Sequence, residues 1–191
     1  MTSDATLAYV FWHWRLPEVE AEQYERSQNA FHAALAEDPP PGFVCSIRSA
    51  LSGAPWANSG EEAYQDRYLI RDSGALDTLD DWVTHERSRA THDAVARVAA
   101  GGTGALYQAR LGAPVDTPRH ALWFPKPEGT RYPELFARCR SLIVDGASVL
   151  WARRMALGPG PEFCLESVAP LDLPTGISPL RIPLRTISKG S

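Results

Sequence analysis

The sequence predicts an α+β fold with one complete β-α-β-β-α-β unit followed by a partial second unit, and three observations support it. Segments rich in aromatic and β-branched residues alternate with segments that repeat apolar residues at the helical period. Stretches rich in Pro and Gly separate these segments, the clearest being the run from Asp38 to Gly42. The order strand, helix, strand, strand occurs twice along the chain, and only its first occurrence continues into another helix and strand.

The first unit, which we predict to span residues 1–112, has the ferredoxin-like order of elements. Residues 7–16 have the composition of a strand, and 18–37 lack Gly and Pro and repeat apolar residues at helical spacing. The remaining elements are strands at 43–51 and 63–71, a helix over 75–100 that is expected to break near Ser88, and a strand at 104–111. The GGTG run at 101–104 follows a helix, so we expect a helix cap and turn there and not a phosphate loop.

A linker at 113–118 leads to the partial second unit, predicted over residues 119–191. Its elements are a strand at 120–124, a helix at 132–143, and strands at 148–157 and 162–169. Residues 171–180 are too few and too rich in Pro and Gly to form the second helix. We expect residues 181–187 to close the sheet as an edge strand, where Pro183 is tolerated.

The composition excludes several classes of function. The chain of 191 residues has a net charge of −4 and no run of Lys or Arg, so we expect no nucleic-acid partner. The first residues form neither a signal peptide nor a membrane-spanning segment, which predicts a cytoplasmic protein with no membrane partner. The three cysteines are far apart and form no CxxC pair, so we expect free thiols and no metal site.

The β-α-β-β-α-β order, an aromatic first strand that carries His13, and a second helix with His85 and His92 resemble the dimeric α+β barrel superfamily. In that superfamily two ferredoxin-like sheets pack face to face. Its members include cofactor-independent monooxygenases of the antibiotic-biosynthesis type, small decarboxylases and dehydratases, and haem-degrading and haem-binding proteins. The likeness covers residues 7–111 well and 119–187 in part.

The resemblance implies that one chain builds a barrel with a pocket between its two sheets, and that a homodimer is a candidate assembly. It also implies a small-molecule ligand, an apolar or aromatic metabolite, with proton transfer or cofactor-independent oxygenation as the candidate chemistry. We therefore expect no cofactor, with haem as the alternative. The competing hypothesis is a non-catalytic haem-binding or protein-interaction module.

His13, Asp66 and Tyr68 are the candidate catalytic residues. Strict alternation places His13 on one strand face with Tyr9 and Phe11, and an imidazole that titrates near neutral pH can act as general base or haem ligand. Asp66 and Tyr68 share a face of the third strand, so a pocket there would contain an acid and a phenol. The structural alternatives are a histidine paired across the sheet and a solvated strand face.

Five further residues are candidates for binding the ligand. Arg48 and Arg154 lie in strands, where a guanidinium orients a carboxylate or phenolate, although such arginines also cover sheet edges. Trp56 lies in a loop and needs an apolar partner, such as a pocket rim or a neighbouring subunit. His85 and His92 lie opposite the apolar stripe of the second helix and face solvent unless that helix breaks.

Overall fold

The computed structural model describes residues 6–156 and 158–190, which form nine β-strands and four α-helices. The first unit contains β1 Leu7–Arg15, α1 Ala21–Glu37, β2 Phe43–Leu51, β3 Ala63–Ile70, α2 Ala75–Thr84, α3 Glu86–Ala96 and β4 Ala99–Gly112. The second contains β5 His120–Phe124, α4 Tyr132–Cys139, β6 Ser148–Ala156, β7 Phe163–Ser167, β8 Leu180–Pro183 and β9 Arg185–Gly190. None of these helices is both long and apolar enough to cross a bilayer.

All nine strands belong to one antiparallel sheet with the order β8-β5-β7-β6-β4-β1-β3-β2-β9. Within the first unit the order is fourth, first, third and second strand, and the first four strands of the second unit repeat it. The two halves meet where β4 pairs with β6. The predicted α+β, ferredoxin-like fold is therefore confirmed, and the second half lacks a helix between β7 and β8.

The last two strands nearly close this sheet into a barrel. Only Leu184 separates β8 from β9, yet β8 pairs with β5 at one end of the sheet and β9 pairs with β2 at the other. The Leu184 amide donates to the carbonyl of Arg119 at 2.8 Å. The C-terminal segment thus covers both edges, which would otherwise expose unpaired backbone groups.

The barrel interior is filled by side chains from both halves. The ring of Trp123 packs edge-to-face against Trp12, Trp56 and Tyr107, with centroids 5.5, 5.2 and 5.8 Å away. Aromatic rings of this size bury large areas and prefer such edge contacts. They occupy the space in which the resemblance predicts the pocket, so that prediction is wrong.

Charged groups also lie inside the barrel. Arg67 and Glu166, each almost inaccessible to solvent, form an ion pair there. The indole nitrogen of Trp151 donates to the other carboxylate oxygen of Glu166 at 2.9 Å. Glu166 is thus compensated by a cation and a second donor, as a buried charge requires.

The predicted break in the second helix occurs three residues earlier than expected. His85 has extended backbone angles (φ −67°, ψ 143°) between α2 and α3. The Ser88 hydroxyl donates to the carbonyls of Trp82 and His85, which supplies partners for the end of α2. The break therefore lets α3 turn relative to α2 without leaving these carbonyls unpaired.

The GGTG run forms no turn, because β4 begins at Ala99 and contains all four residues. A Cβ on Gly102 would lie 2.3 Å from Cζ of Phe11, and one on Gly104 would lie 3.0 Å from the ring of Tyr9. Both rings project from the neighbouring strand β1 and lie across β4. The glycines make room for these rings, and the cap-and-turn interpretation is wrong.

Candidate active site

A cavity of about 600 Å³ lies between the sheet of the first unit and its helices. This volume is within the range of small-molecule binding sites. Most of its wall is apolar or aromatic, and its polar members are concentrated on β1, β3 and α1. The lining includes Tyr9, Phe11, His13, Tyr24, Gln28, Asp66, Tyr68 and His92.

His13 and Asp66 form a buried pair in the cavity wall. Each is 2% exposed, and Nε2 of His13 lies 3.2 Å from Oδ2 of Asp66. The two residues meet because β1 pairs with β3, where Phe11 lies directly opposite Asp66. His13 is two residues further along β1 on the same face as Phe11, so its side chain lies diagonally beside the carboxylate. The other imidazole nitrogen, Nδ1, lies 2.7 Å from the hydroxyl of Tyr24 on α1.

Asp66 collects two further contacts on the same oxygen. Nε2 of His32 and the hydroxyl of Tyr68 each lie 2.9 Å from Oδ2. Burial alone would raise the pKa of Asp66, but His32 and His13 and their hydrogen bonds outweigh burial and hold it well below its ordinary value. The carboxyl group is therefore ionised, and Oδ1 is buried without a hydrogen-bond partner in the described part of the chain.

Tyr68 is a donor to this carboxylate and not an acid of its own. Burial, followed by the charge of Asp66 and the hydrogen bond to it, raises the pKa of Tyr68 well above its ordinary value. Its ring stacks on the imidazole of His32, with centroids 5.5 Å apart. Tyr68 therefore stabilises the charged form of Asp66 and holds His32 in position.

Sequence reasoning identified neither His32 nor Tyr24 as a candidate site residue. Tyr24, Gln28 and His32 are spaced by four residues, which places them along one face of α1. That spacing was the available signal, because three polar groups on one helix face are unusual where the face meets a sheet. Nδ1 of His32 lies 2.8 Å from the hydroxyl of Ser46 on β2, so both of its nitrogens have partners.

Arg48 lies beside Asp66 but outside the cavity wall. The two residues are directly opposite each other where β2 pairs with β3, and Arg48 is 1% exposed. Burial lowers the pKa of Arg48, and the negative charge of Asp66 acts in the opposite direction. One guanidinium nitrogen donates to Asn29 at 2.8 Å, whereas Nε and Nη1 have no hydrogen-bond partner among the described residues.

The other predicted ligand-binding residues are dispersed. His92 lines the cavity with its side chain 44% exposed, because α3 is re-aimed after the break at His85. His85 is exposed at the end of α2, and Arg154 lies on the exposed part of β6. Trp56 packs inside the barrel, since the β2–β3 loop brings its ring against Trp12 and Trp123. Neither His85, Arg154 nor Trp56 lines the cavity.

The arrangement does not suit His13 as a haem ligand. An axial histidine needs one imidazole nitrogen directed at the iron, but Nδ1 of His13 contacts Tyr24 and Nε2 faces Asp66. Over the described ranges, His, Cys, Asp and Glu side chains also form no group of three suited to a metal ion. The groups present are instead arranged for hydrogen bonding and proton transfer.

Comparison with solved structures identifies proteins of the same fold. A proposed monooxygenase from Fusobacterium nucleatum is 8% identical, covers 97% of this chain and 94% of its own, and has a TM-score of 0.65. An anthrone oxidase-like protein is 10% identical over 98% and 93% of the two chains, with a TM-score of 0.57. A proposed monooxygenase from Lactobacillus acidophilus is 9% identical over 98% and 96%, also with a TM-score of 0.57.

No protein-family model and no curated protein matches the chain. These structures share the fold of this chain over nearly its whole length, which confirms the architectural resemblance seen in the sequence. At identities this low the likeness shows the fold alone.

Proposed function

We propose that this protein binds a small apolar or aromatic molecule in the cavity of the first unit and removes a proton from it, with His13 as the base. One observation carries the proposal: a buried histidine–carboxylate pair lies in the wall of a cavity whose lining is otherwise mostly apolar or aromatic. Such pairs are concentrated at functional sites, because burying a charge without a task for it is costly.

Asp66, His32 and Tyr68 support His13 in this reaction. Asp66 orients the imidazole of His13 and stabilises the imidazolium that forms when His13 takes up a proton, without becoming protonated itself. His32 and Tyr68 keep Asp66 ionised by donating hydrogen bonds to it. The rings of Tyr9 and Phe11 pack along a planar ligand and exclude water from the anion that is left.

The names of the structural neighbours favour oxygenation as the outcome of this proton transfer, since two are proposed monooxygenases and one is anthrone oxidase-like. A ligand with an acidic methylene group, R₂CH₂, loses a proton to form a carbanion. The carbanion adds to O₂, the resulting peroxide anion takes a proton from the His13 imidazolium, and the hydroperoxide loses water. The net reaction converts R₂CH₂ and O₂ into R₂C=O and H₂O, with O₂ as the oxidant.

Anthrone is a suitable probe, because its methylene lies between two aromatic rings and loses a proton readily. We expect the protein to bind anthrone by calorimetry and to accelerate its methylene exchange with D₂O, followed by proton NMR without O₂. His13→Gln should slow this exchange on the order of 100-fold. His120→Ala, at a half-buried position on β5 outside the cavity, should leave it unchanged. Equal exchange rates in His13→Gln and the wild type would contradict the proposal.

The haem-binding alternative has its own signature. Titration with haemin would then give a Soret band that is lost in His92→Ala, the variant of the partly exposed histidine in the cavity wall. We expect no such histidine-dependent band. Its appearance, together with a failure to exchange anthrone, would replace the proposed function with haem binding.

A further inference from the structure

Tyr24, His13 and Asp66 lie next to one another in the cavity wall, joined by a hydrogen bond between Tyr24 and His13 and by an ion-pair contact between His13 and Asp66. The hydroxyl of Tyr24 lies 2.7 Å from Nδ1 of His13, and Nε2 on the far side of the ring lies 3.2 Å from Asp66. All three side chains line the cavity. A hydroxyl, an imidazole and a carboxylate in this order are the parts of a unit in which the imidazole activates the hydroxyl.

The charge on Asp66 decides which nitrogen of His13 carries the hydrogen. Because Oδ2 of the ionised carboxylate faces Nε2, the favoured tautomer has its hydrogen on Nε2. Nδ1 then has the lone pair and accepts the hydroxyl hydrogen of Tyr24. In this state His13 has no lone pair left for a ligand, whereas the oxygen of Tyr24 still has one.

Other charged and titratable groups around the pair preserve this arrangement. Arg48 on β2 lies opposite Asp66 and balances its charge, and His32 on α1 donates to the same carboxylate. Tyr68 on β3 donates to it as well. Asp66 is negative and Arg48 is positive, so the cluster has no net charge when the imidazoles of His13 and His32 are neutral. When His13 takes up a proton, the negative charge of Asp66 lies beside the imidazolium.

We propose that Tyr24 is the catalytic residue that contacts the ligand, and that His13 acts on the ligand through the hydroxyl of Tyr24. As the C–H or O–H bond of the ligand breaks, its proton bonds to the Tyr24 oxygen and the electron pair stays on the ligand. In the same step the O–H bond of Tyr24 breaks and its proton bonds to Nδ1 of His13. The products are the ligand anion, neutral Tyr24 and the His13 imidazolium beside Asp66.

This concerted path avoids a charged tyrosine in a buried site. Burial, followed by the charge of Asp66, raises the pKa of Tyr24 well above its ordinary value, so a free tyrosinate is strongly disfavoured. Gln28, one turn further along α1, acts in the opposite direction on the pKa of Tyr24. Tyr24 therefore transmits a proton without holding the charge, and His13 holds it beside a counter-ion.

The inference rests on the proposed function, and Tyr24→Phe separates the two. This variant keeps the ring and removes the oxygen, so we expect anthrone affinity within about threefold of the wild type and methylene exchange slower by on the order of 100-fold. Tyr64→Phe is the matched control, because Tyr64 is equally buried but its hydroxyl is 3.5 Å from Glu25 and it does not line the cavity. It should exchange anthrone at the wild-type rate.

Combining the variants tests whether the two residues act as one unit. Tyr24→Phe with His13→Gln should be no slower than either single variant, since residues that act in series are not additive. Wild-type exchange in Tyr24→Phe, with exchange lost in His13→Gln, would overturn the role of Tyr24 and leave the proposed function standing. Failure of the wild type to bind or exchange anthrone would overturn both.

A second measurement needs no ligand. Nitrogen-15 NMR of the imidazole side chains should find His13 as the Nε2–H tautomer, with an Nδ1 shift that moves on Tyr24→Phe and not on Tyr64→Phe. The Nδ1–H tautomer, in which His13 donates to Tyr24, would overturn the inference.

Discussion

Replacing Gly102 with Ala should narrow the cavity by displacing a single ring. The new Cβ would lie 2.3 Å from Cζ of Phe11 and 2.8 Å from Cε2, whereas ordinary contacts begin at 3.4 Å. The ring must therefore move by about 1.1 Å, and because Phe11 lines the cavity, this movement takes space from the ligand. Overpacking of this kind typically costs about 1–3 kcal/mol of folding free energy.

Ligands of different size reveal the change. We expect Gly102→Ala to weaken the binding of three-ring anthrone on the order of tenfold, about 1.4 kcal/mol, and to leave the binding of one-ring phenol unchanged. Gly104→Ala is the graded control, because its Cβ would meet Tyr9 at 3.0 Å and requires a shift of only a few tenths of an ångström. Phe11→Leu removes the clashing ring atoms, so adding Gly102→Ala to Phe11→Leu should cost no further anthrone affinity. Equal losses for both ligands, or a further loss of anthrone affinity in the double variant relative to Phe11→Leu, would refute the reasoning.

Three further predictions concern buried ionisable groups. Because the pKa of Asp66 lies below its ordinary value of about 4, the ionised carboxylate stabilises the folded state above that pH, and this stabilisation is lost as the pH falls below it. Asp66→Asn should therefore make the urea midpoint of unfolding depend less on pH at the acid end of a series measured between about pH 3 and 7. Glu166→Gln leaves Arg67 buried without its counter-ion and should lower the free energy of unfolding, measured with urea, by about 3–5 kcal/mol. Replacing both residues with apolar ones should restore much of this loss. An unchanged urea midpoint in Glu166→Gln would contradict the conclusion that Glu166 compensates the charge of Arg67. Burial raises the pKa of all three thiols, so the native protein should resist Ellman's reagent and the protein unfolded in guanidinium should react fully; rapid native labelling would be inconsistent with the packing of Cys45, Cys139 and Cys164.

Features that depend on neighbouring residues were predictable from the sequence. Alternation along β1 places Tyr9, Phe11 and His13 on one face, and these side chains line the cavity while Trp12 packs inside the barrel. The alternation along β3 likewise brings Asp66 and Tyr68 to the same face. Short-range periodicity suffices for these assignments, because successive strand residues necessarily point to opposite faces.

Features that depend on contacts distant in sequence were not predictable. A run of glycines has the same local pattern whether it forms a turn or gives room to a ring, and only the pairing of β1 with β4 decides that Gly102 lies beneath Phe11. Likewise, the partnership of His32 with Asp66 joins residues 34 positions apart. The site forms because the strands pair in one register and α1 packs at one position on the sheet. Neither the register nor this position can be inferred from residues that are close together in the sequence.

The two halves of the barrel differ in what lies between helix and sheet, and this difference explains why the cavity is found in the first half. In the second half, the helix side of the sheet carries Phe124, Phe163 and Leu165, which pack in one apolar cluster with Leu135 of α4. Ile177, from the segment that replaces the missing helix, fills the same cluster.

The first half instead places glycines, His13 and Asp66 on the corresponding side and covers them with three helices. Closure of the barrel within one chain permits this division, because the two halves have separate sequences and need not both bind a ligand. One half can then maximise apolar packing, while the other retains buried polar groups, which reduce stability and to which we assign the proposed proton transfer.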